Sequence, residues 1–356
     1  MVQEFALRIE DWYGRNGRDL PWRHTRDPYL IWISEVILQQ TRVVQGMEYY
    51  LRFVSRFPTV ESLAAAEEVE VLRLWQGLGY YSRARNLLVA ARQAVAMGGF
   101  PTDYDALRSL RGVGEYTAAA VMSLAFDAPF AVLDGNVYRV LSRFTCTDTP
   151  IDTTLGHKTF RALADEMLDR RRPALYNQSL MDFGALLCTP SAPDCTACPL
   201  NDLCLGFARR RVGELPCKQR RTKVRHRYFT YLLLRSASGD IMLERRPSGD
   251  IWQGLYQFPL VESEAPLSAA ELEKRFPDSR LTLLVPEITH QLTHQLIHAS
   301  LWQLEPRRVA SADATCSFSE TTCGFWADDV QFSSLPQPRL MERICEKIPH
   351  MFGRDE

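Results

Sequence analysis

Leu110-Arg111-Gly112-Val113-Gly114-Glu115-Tyr116-Thr117-Ala118-Ala119 sets two glycines immediately ahead of a run of mostly small residues. Small side chains favour a helix, and glycine accepts the backbone angles of a sharp entry into one. The stretch reads as a hairpin joining two helices, the second opening on bare amide groups that suit a phosphate. An ordinary tight turn satisfies the same pattern. Farther on, Ala131-Val132-Leu133-Asp134-Gly135-Asn136 ends an apolar run on an acid. Asp134 there would also serve as the cap of a helix beginning near Val137.

Outward from the hairpin, apolar residues recur at helical spacing from Phe5 to about Phe183, punctuated at Phe57-Pro58, Gly98-Gly99-Phe100-Pro101 and Ala128-Pro129. Asp27-Pro28 opens a helix with few breakers from Tyr29 to Phe53, and Ser62 to Leu74 and Ala84 to Ala96 predict two more. After Cys204 comes a stretch with nine Lys and Arg between Arg209 and Arg227 and little periodicity, which reads as a linker. The period then changes. Tyr228 to Arg235, a turn at Ser238-Gly239-Asp240, and Ile241 to Arg246 predict a β-hairpin, and Thr289 to Gln303 predicts a strand. Ser268 with Glu271 forms a capping box, and Pro338 to Met351 suggests a further helix. The fold class is therefore multidomain: an all-α half over 1–205, a basic linker over 206–227, and a smaller α+β domain over 228–356.

The 356 residues, 46% hydrophobic and 24% charged, describe a globular protein with two cores. No run approaches the roughly 20 apolar residues of a membrane span, and the first residues lack the pattern of a secretory signal. A cytoplasmic protein with no membrane partner is expected. The net charge is -1, but the chain is net basic up to Arg227 and net acidic beyond it. That asymmetry permits nucleic acid without requiring it.

Four of the nine cysteines, Cys188, Cys195, Cys198 and Cys204, follow C-x6-C-x2-C-x5-C. Four thiolates so close together point to a metal, and the spacing suits a structural zinc as well as an iron-sulfur cluster. Cys146, Cys217, Cys316, Cys323 and Cys345 are scattered and read as free thiols.

Together, the Gly-Val-Gly hairpin, the acid in Leu-Asp-Gly-Asn and the four-cysteine pattern resemble the helix-hairpin-helix DNA glycosylases, the superfamily of endonuclease III and MutY. The resemblance covers residues 1 to about 205, and it implies a [4Fe-4S] cluster on the four cysteines in place of zinc. Gly112 and Gly114 would then face the DNA backbone. Tyr116 stands where the bifunctional lyases carry a lysine, and a phenol forms no imine with the sugar. Ile33-Ser34-Glu35-Val36-Ile37-Leu38-Gln39-Gln40-Thr41 is similar to the MutY signature, with Glu35 at the position of its general acid. The apolar neighbours of Glu35 would raise its pKa toward the value an acid catalyst needs.

The resemblance further implies that Glu35 protonates an extruded adenine opposite 8-oxoguanine or guanine in double-stranded DNA. Asp134 would stabilise or capture the sugar cation, and Tyr116 and Asn136 would orient the two acids. Trp22, Arg23 and Gln178 match positions lining the adenine pocket. Gln40, Thr41, Leu78 and Tyr80 match residues that meet the duplex. The C-terminal part is similar to the Nudix-like domain that inspects 8-oxoguanine, with Trp252 to Pro259 as its Gly-Leu-Tyr-x-Phe-Pro element and no glutamate array suited to diphosphate hydrolysis. Thr293 and His294 stand in place of the family's Ser-His, and Leu292 replaces its phenylalanine. His290, His294 and His298 recur every fourth residue in a strand-like stretch and read as hydrogen-bonding or solvated groups. The protein is expected to act as a monomer. The alternatives are an endonuclease III-like glycosylase/lyase on oxidised pyrimidines, a non-catalytic DNA-binding module, and a structural zinc protein.

Overall fold

The computed structural model describes residues 2–219, 224–306 and 324–352. The chain divides into two compact units, Met1–Ala66 with Asn86–Arg221, and Glu67–Arg85 with Thr222–Glu356. That the second unit takes in 67–85 is something no boundary near 206–227 anticipates. Arg220, Arg221 and Lys223 of the basic stretch lie outside the described residues.

The first unit is helical among its described residues. Its elements are α1 (Val2–Asn16), α2 (Pro28–Leu38), α3 (Val43–Arg56) and α4 (Val60–Ala64). Next come α5 (Glu68–Leu74), which belongs to the second unit, and α6 (Ser82–Ala96), which spans the division. The first unit then continues with α7 (Tyr104–Ser109), α8 (Glu115–Phe126), α9 (Gly135–Thr145), α10 (Thr154–Met167), α11 (Pro173–Leu186) and α12 (Leu205–Ala208). Asp27 caps α2 through the Tyr29 amide with Pro28 in the first turn, as the sequence suggests. The helix expected to run on toward Phe53 instead breaks, because Gln40 adopts φ 59° between α2 and α3. Ser62 to Leu74 is likewise two helices, with Thr59 and Ser62 forming a capping box at the first. Helix α11 is central: it packs on α1, α8 and α9, and Tyr176, Leu180 and Phe183 are each about 1% exposed.

The second unit adds β1 (Arg225–Leu233), β2 (Ile241–Arg245), β3 (Tyr256–Gln257), β4 (Leu260–Ser263), α13 (Ala269–Arg275), β5 (Ser279–Gln291) and β6 (Gln295–Pro306), then β7 (Phe325–Ala327), α14 (Asp329–Ser334) and α15 (Arg339–Cys345). One sheet has the order β4-β1-β6-β5, with β1 and β6 parallel, and a second has the order β3-β2-β7. The expected hairpin of β1 with β2 is confined to its turn, where the Ser236 amide donates to the Asp240 carbonyl at 2.9 Å and the Met242 amide to the Leu234 carbonyl at 3.1 Å. The two strands meet at a single bridge, Arg235 with Ile241, and then diverge into different sheets. The physical reason is burial on both faces. Phe229, Tyr231 and Leu233 enter one apolar cluster with α15, while Leu232 and Leu234 enter another with Leu272 and Trp302. The strand expected from Thr289 to Gln303 is a β5–β6 hairpin turning at Leu292-Thr293-His294, where the Leu292 amide donates to the Gln295 carbonyl at 2.8 Å. Ser268 and Glu271 do form the capping box of α13.

Candidate active site

Helix α2 is buried along Ile31, Trp32, Ile33, Ser34, Glu35, Val36 and Ile37, so Glu35 carries its carboxyl into the interior with 6% exposure. The Tyr116 hydroxyl, at the start of α8, donates to it at 2.6 Å. Burial pushes the Glu35 carboxyl up to about 7. The Tyr116 hydrogen bond and the Arg23 charge oppose that rise, and the Asp134 charge adds to it. Tyr116 is held well above the ordinary phenol value by burial and the two acids, so it stays a donor.

Asp134 is the N-cap of α9: one carboxylate oxygen accepts from the Val137 amide at 2.7 Å and the other from the Asn136 side chain at 2.9 Å. Burial raises this carboxyl too, while those donors and the Arg139 charge pull it back toward ionisation. Capping and electrostatics are thus one arrangement. Glu35 accepts from a phenol and is raised toward neutrality, whereas Asp134, also raised by burial, accepts from two donors at a helix N-terminus, where a negative charge is favoured.

Two arginines on α9 had no motif to announce them. Arg139 donates to the Asn136 side-chain oxygen at 2.8 Å, the Gly184 carbonyl at 2.6 Å and the Cys188 carbonyl at 2.7 Å. It therefore joins the residue that holds Asp134 to the backbone of the first cysteine. Arg143, 2% exposed, donates to the carbonyls of Val212, Leu215, Thr189 and Pro190 and to the Cys188 sulfur at 3.3 Å. Their spacing, three and seven residues after Asn136 on one helix face, is the signal that would have found them.

Cys188, Cys195, Cys198 and Cys204 all line one small hollow together with Arg143, Phe183 and Leu200. Among the described residues, no three His, Cys, Asp or Glu side chains are grouped to hold a single metal ion. A donor set of four thiols around an apolar hollow fits a thiolate-bound cluster. Cys146 and Cys345 are buried, Cys217 is partly buried, and Cys316 and Cys323 lie outside the described residues.

Arg23 forms a two-pronged ion pair with Asp182, 2.7 Å on each side, and Arg18 shares the same fully buried carboxylate. Burial works against the Asp182 charge, but the hydrogen bonds from Arg23 and Arg18 outweigh it and hold the carboxyl below its ordinary value. Trp22 is buried edge-on against Tyr50 at 5.1 Å. Gln178 accepts from Tyr13 at 3.0 Å.

At the hairpin, Gly112 has φ 79° and a Cβ there would meet the Asn86 side chain at 2.9 Å. Gly114 is the N-cap of α8, makes no side-chain cap hydrogen bond, and nothing lies within 4 Å of its missing Cβ. Gln40 is exposed and Thr41 partly so, both at the break between α2 and α3.

In the second unit, Leu78 is buried while Tyr80 is 45% exposed with φ 48°, between the left-handed Gly79 and the Arg83 guanidinium 5.4 Å from its ring. The Tyr80 hydroxyl meets the Thr293 hydroxyl at the exposed β5–β6 turn, where His294 is also exposed. His290 and His298 diverge: the first packs edge-on to Trp252 at 5.6 Å, the second bonds His226 at 2.9 Å and Glu287 at 3.0 Å. Among the described residues, no helix is long and apolar enough to cross a membrane.

Residues 33–163 match the model of the HhH-GPD superfamily base excision DNA repair proteins, and residues 230–347 match the NUDIX domain. A structure of a thermostable thymine-DNA glycosylase superposes with a TM-score of 0.55 at 32% identity, over 58% of this chain and 97% of that one. An adenine DNA glycosylase of Arabidopsis thaliana is 36% identical over 73% of this chain and 48% of its own, so the chain spans about half the length of that relative. One from Buchnera aphidicola subsp. Baizongia pistaciae is 34% identical over 72% of this chain and 73% of its own. A buried acid paired with an acid-capped helix, a cysteine-lined hollow and a relative matched over most of its length lead to one assignment: the chain belongs to the adenine DNA glycosylase family.

Proposed function

We propose that the protein is a base-excision enzyme that removes adenine paired with 8-oxoguanine or guanine in double-stranded DNA, acting as a monomer. The observation that carries this reading is Glu35, buried, hydrogen-bonded to Tyr116 and raised to about 7 beside Asp134. The extruded adenine enters beside Trp22, Arg23 and Gln178. Glu35 gives its proton to N7, the C1'–N9 bond breaks, and its electron pair leaves with the now neutral base. The ionised Asp134, held by Asn136 and the start of α9, stabilises or transiently captures the cationic sugar. Water adds at C1' and returns its proton to the Glu35 carboxylate. Tyr116 supplies no amine for an imine, so the reaction ends at the abasic site without strand cleavage. Gly112 and Gly114 offer backbone amides to a phosphate, with Gln40, Thr41, Leu78 and Tyr80 at the duplex.

Cys188, Cys195, Cys198 and Cys204 would hold a [4Fe-4S] cluster, which when bound cross-links the loop through four thiolate bonds. In this reading residues 1–205 form the catalytic region, 206–227 the basic linker, and 228–356 the domain whose Thr293 and His294 recognise 8-oxoguanine. The test is single-turnover base release from duplexes with adenine opposite 8-oxoguanine, guanine or thymine, using the wild type and Glu35→Gln. Release from the first two alone, abolished by the substitution, is the expected result. Failure of the wild type to release adenine refutes the reading.

A further inference from the structure

We infer that Tyr13 is a positioning residue that sets which end of the Gln178 amide meets the extruded base, and so governs the choice of adenine over other purines. This rests on the adenine-excision reading and deepens it. Tyr13 lies on α1 and Gln178 on α11, two helices packed side by side. The Tyr13 hydroxyl donates to the side-chain oxygen of Gln178 at 3.0 Å. The donor is itself fixed, because the Arg23 guanidinium sits 5.4 Å from the Tyr13 ring and is clamped by the fully buried Asp182. A cation over the ring also makes the phenolic hydrogen a stronger donor.

An amide side chain has one accepting end and one donating end. With the oxygen committed to Tyr13, the NH2 group is the end left for a ligand. Gln178 stands three residues before Met181 on α11, and the Met181 sulfur is 3.7 Å from the Tyr116 hydroxyl that bonds Glu35. The two side chains share a helix face, which borders the Glu35 site. Adenine offers unprotonated ring nitrogens along its pairing edge, N1 among them. Hypoxanthine carries a hydrogen on N1 and a carbonyl in place of the amine. A fixed NH2 donor bonds the first base and meets a hydrogen of the second head-on. A site built around one hydrogen-bond pattern rejects its reverse because polar groups are left unpaired. Without the Tyr13 hydroxyl the amide turns and accepts either base.

Tyr13→Phe keeps the ring beneath Arg23 and removes only the hydroxyl. Single-turnover release of adenine and of hypoxanthine, each opposite 8-oxoguanine, is measured for the wild type, Tyr13→Phe, Gln178→Ala and the double variant. The adenine-to-hypoxanthine rate ratio is expected to fall about tenfold in Tyr13→Phe. Gln178→Ala, which leaves Tyr13 untouched, is expected to lose a similar factor, and the double variant no more than either single one. An unchanged ratio in Tyr13→Phe, or a further loss of the same size in the Gln178→Ala background, overturns the role of Tyr13. Selective wild-type release with an unchanged Tyr13→Phe ratio defeats this inference alone, whereas absence of wild-type adenine release defeats the excision reading beneath it.

Discussion

The Tyr116 hydroxyl donates to the Glu35 carboxyl at 2.6 Å, and at Glu35 this bond opposes the burial that surrounds both groups. The bond favours the carboxylate and so lowers the Glu35 pKa from where desolvation alone would set it. Tyr116→Phe therefore raises that pKa further. If protonated Glu35 is the acid, wild-type base release declines as pH rises through about 7, and the variant's alkaline limb moves to higher pH. A pH profile of single-turnover rates reads the displacement, and a limb that stays in place or moves downward contradicts the assignment.

Glu35 also carries a stability cost of definite sign. Its carboxyl stands at an ordinary 4.5 in the unfolded chain and about 7 in the folded one. Below the lower value both states are protonated and nothing is lost. Between the two, only the unfolded chain releases its proton, so stability falls as pH rises, reaching a deficit of about 3 kcal/mol above the folded value. Glu35→Gln abolishes this slope while keeping an acceptor for Tyr116. Thermal unfolding should show the variant more stable than wild type in mildly alkaline buffer and level with it in acid.

Gly184 packs where a side chain does not fit. A Cβ there would lie 2.7 Å from the Asn136 Cβ and 3.1 Å from its carbonyl oxygen. Gly184→Ala is expected to cost about 1–3 kcal/mol of stability and to slow base release by displacing the partner of Asp134. Arg139→Met, which strands the Gly184 and Cys188 carbonyls, should reduce both base release and the visible absorption of the loaded protein. Unaltered base release in both variants would disconnect Asn136 from the reaction.

Thr293→Val removes the hydroxyl that meets Tyr80. Affinity for duplexes with adenine opposite 8-oxoguanine should fall by roughly twofold to tenfold, with less effect opposite guanine. Equal losses on the two duplexes would remove the β5–β6 turn from lesion recognition.

Glu35 among the apolar residues of its helix and Asp134 at a capped helix start were legible as local patterns, whereas their pairing as two acids came from the family resemblance. The helical half was legible from periodicity and caps, except where Gln40 adopts a left-handed backbone that its side chain does not advertise. In the second unit, local pattern misled. A strand buried on both faces has no alternation to show which sheet it joins, so nothing signalled that β1 and β2 would part just beyond their turn. The Tyr13, Arg23, Asp182 and Gln178 constellation assembles from segments more than 150 residues apart, as the Tyr13–Gln178 separation of 165 shows, and no spacing rule reaches that far.

The stretch 67–85 has one more consequence. Its Gln76 and Arg85 side chains bond Glu342 and the Gln253 carbonyl, and the Tyr81 hydroxyl bonds the Gln337 carbonyl, all inside the second unit. The backbone consequently passes between the two units at residues 66, 85 and 221, stitching them three times where a linear pair of domains is stitched once. Cutting the chain in the basic stretch would free no intact half: the N-terminal fragment would keep a loop shorn of its packing, and the C-terminal one would lose part of its own body.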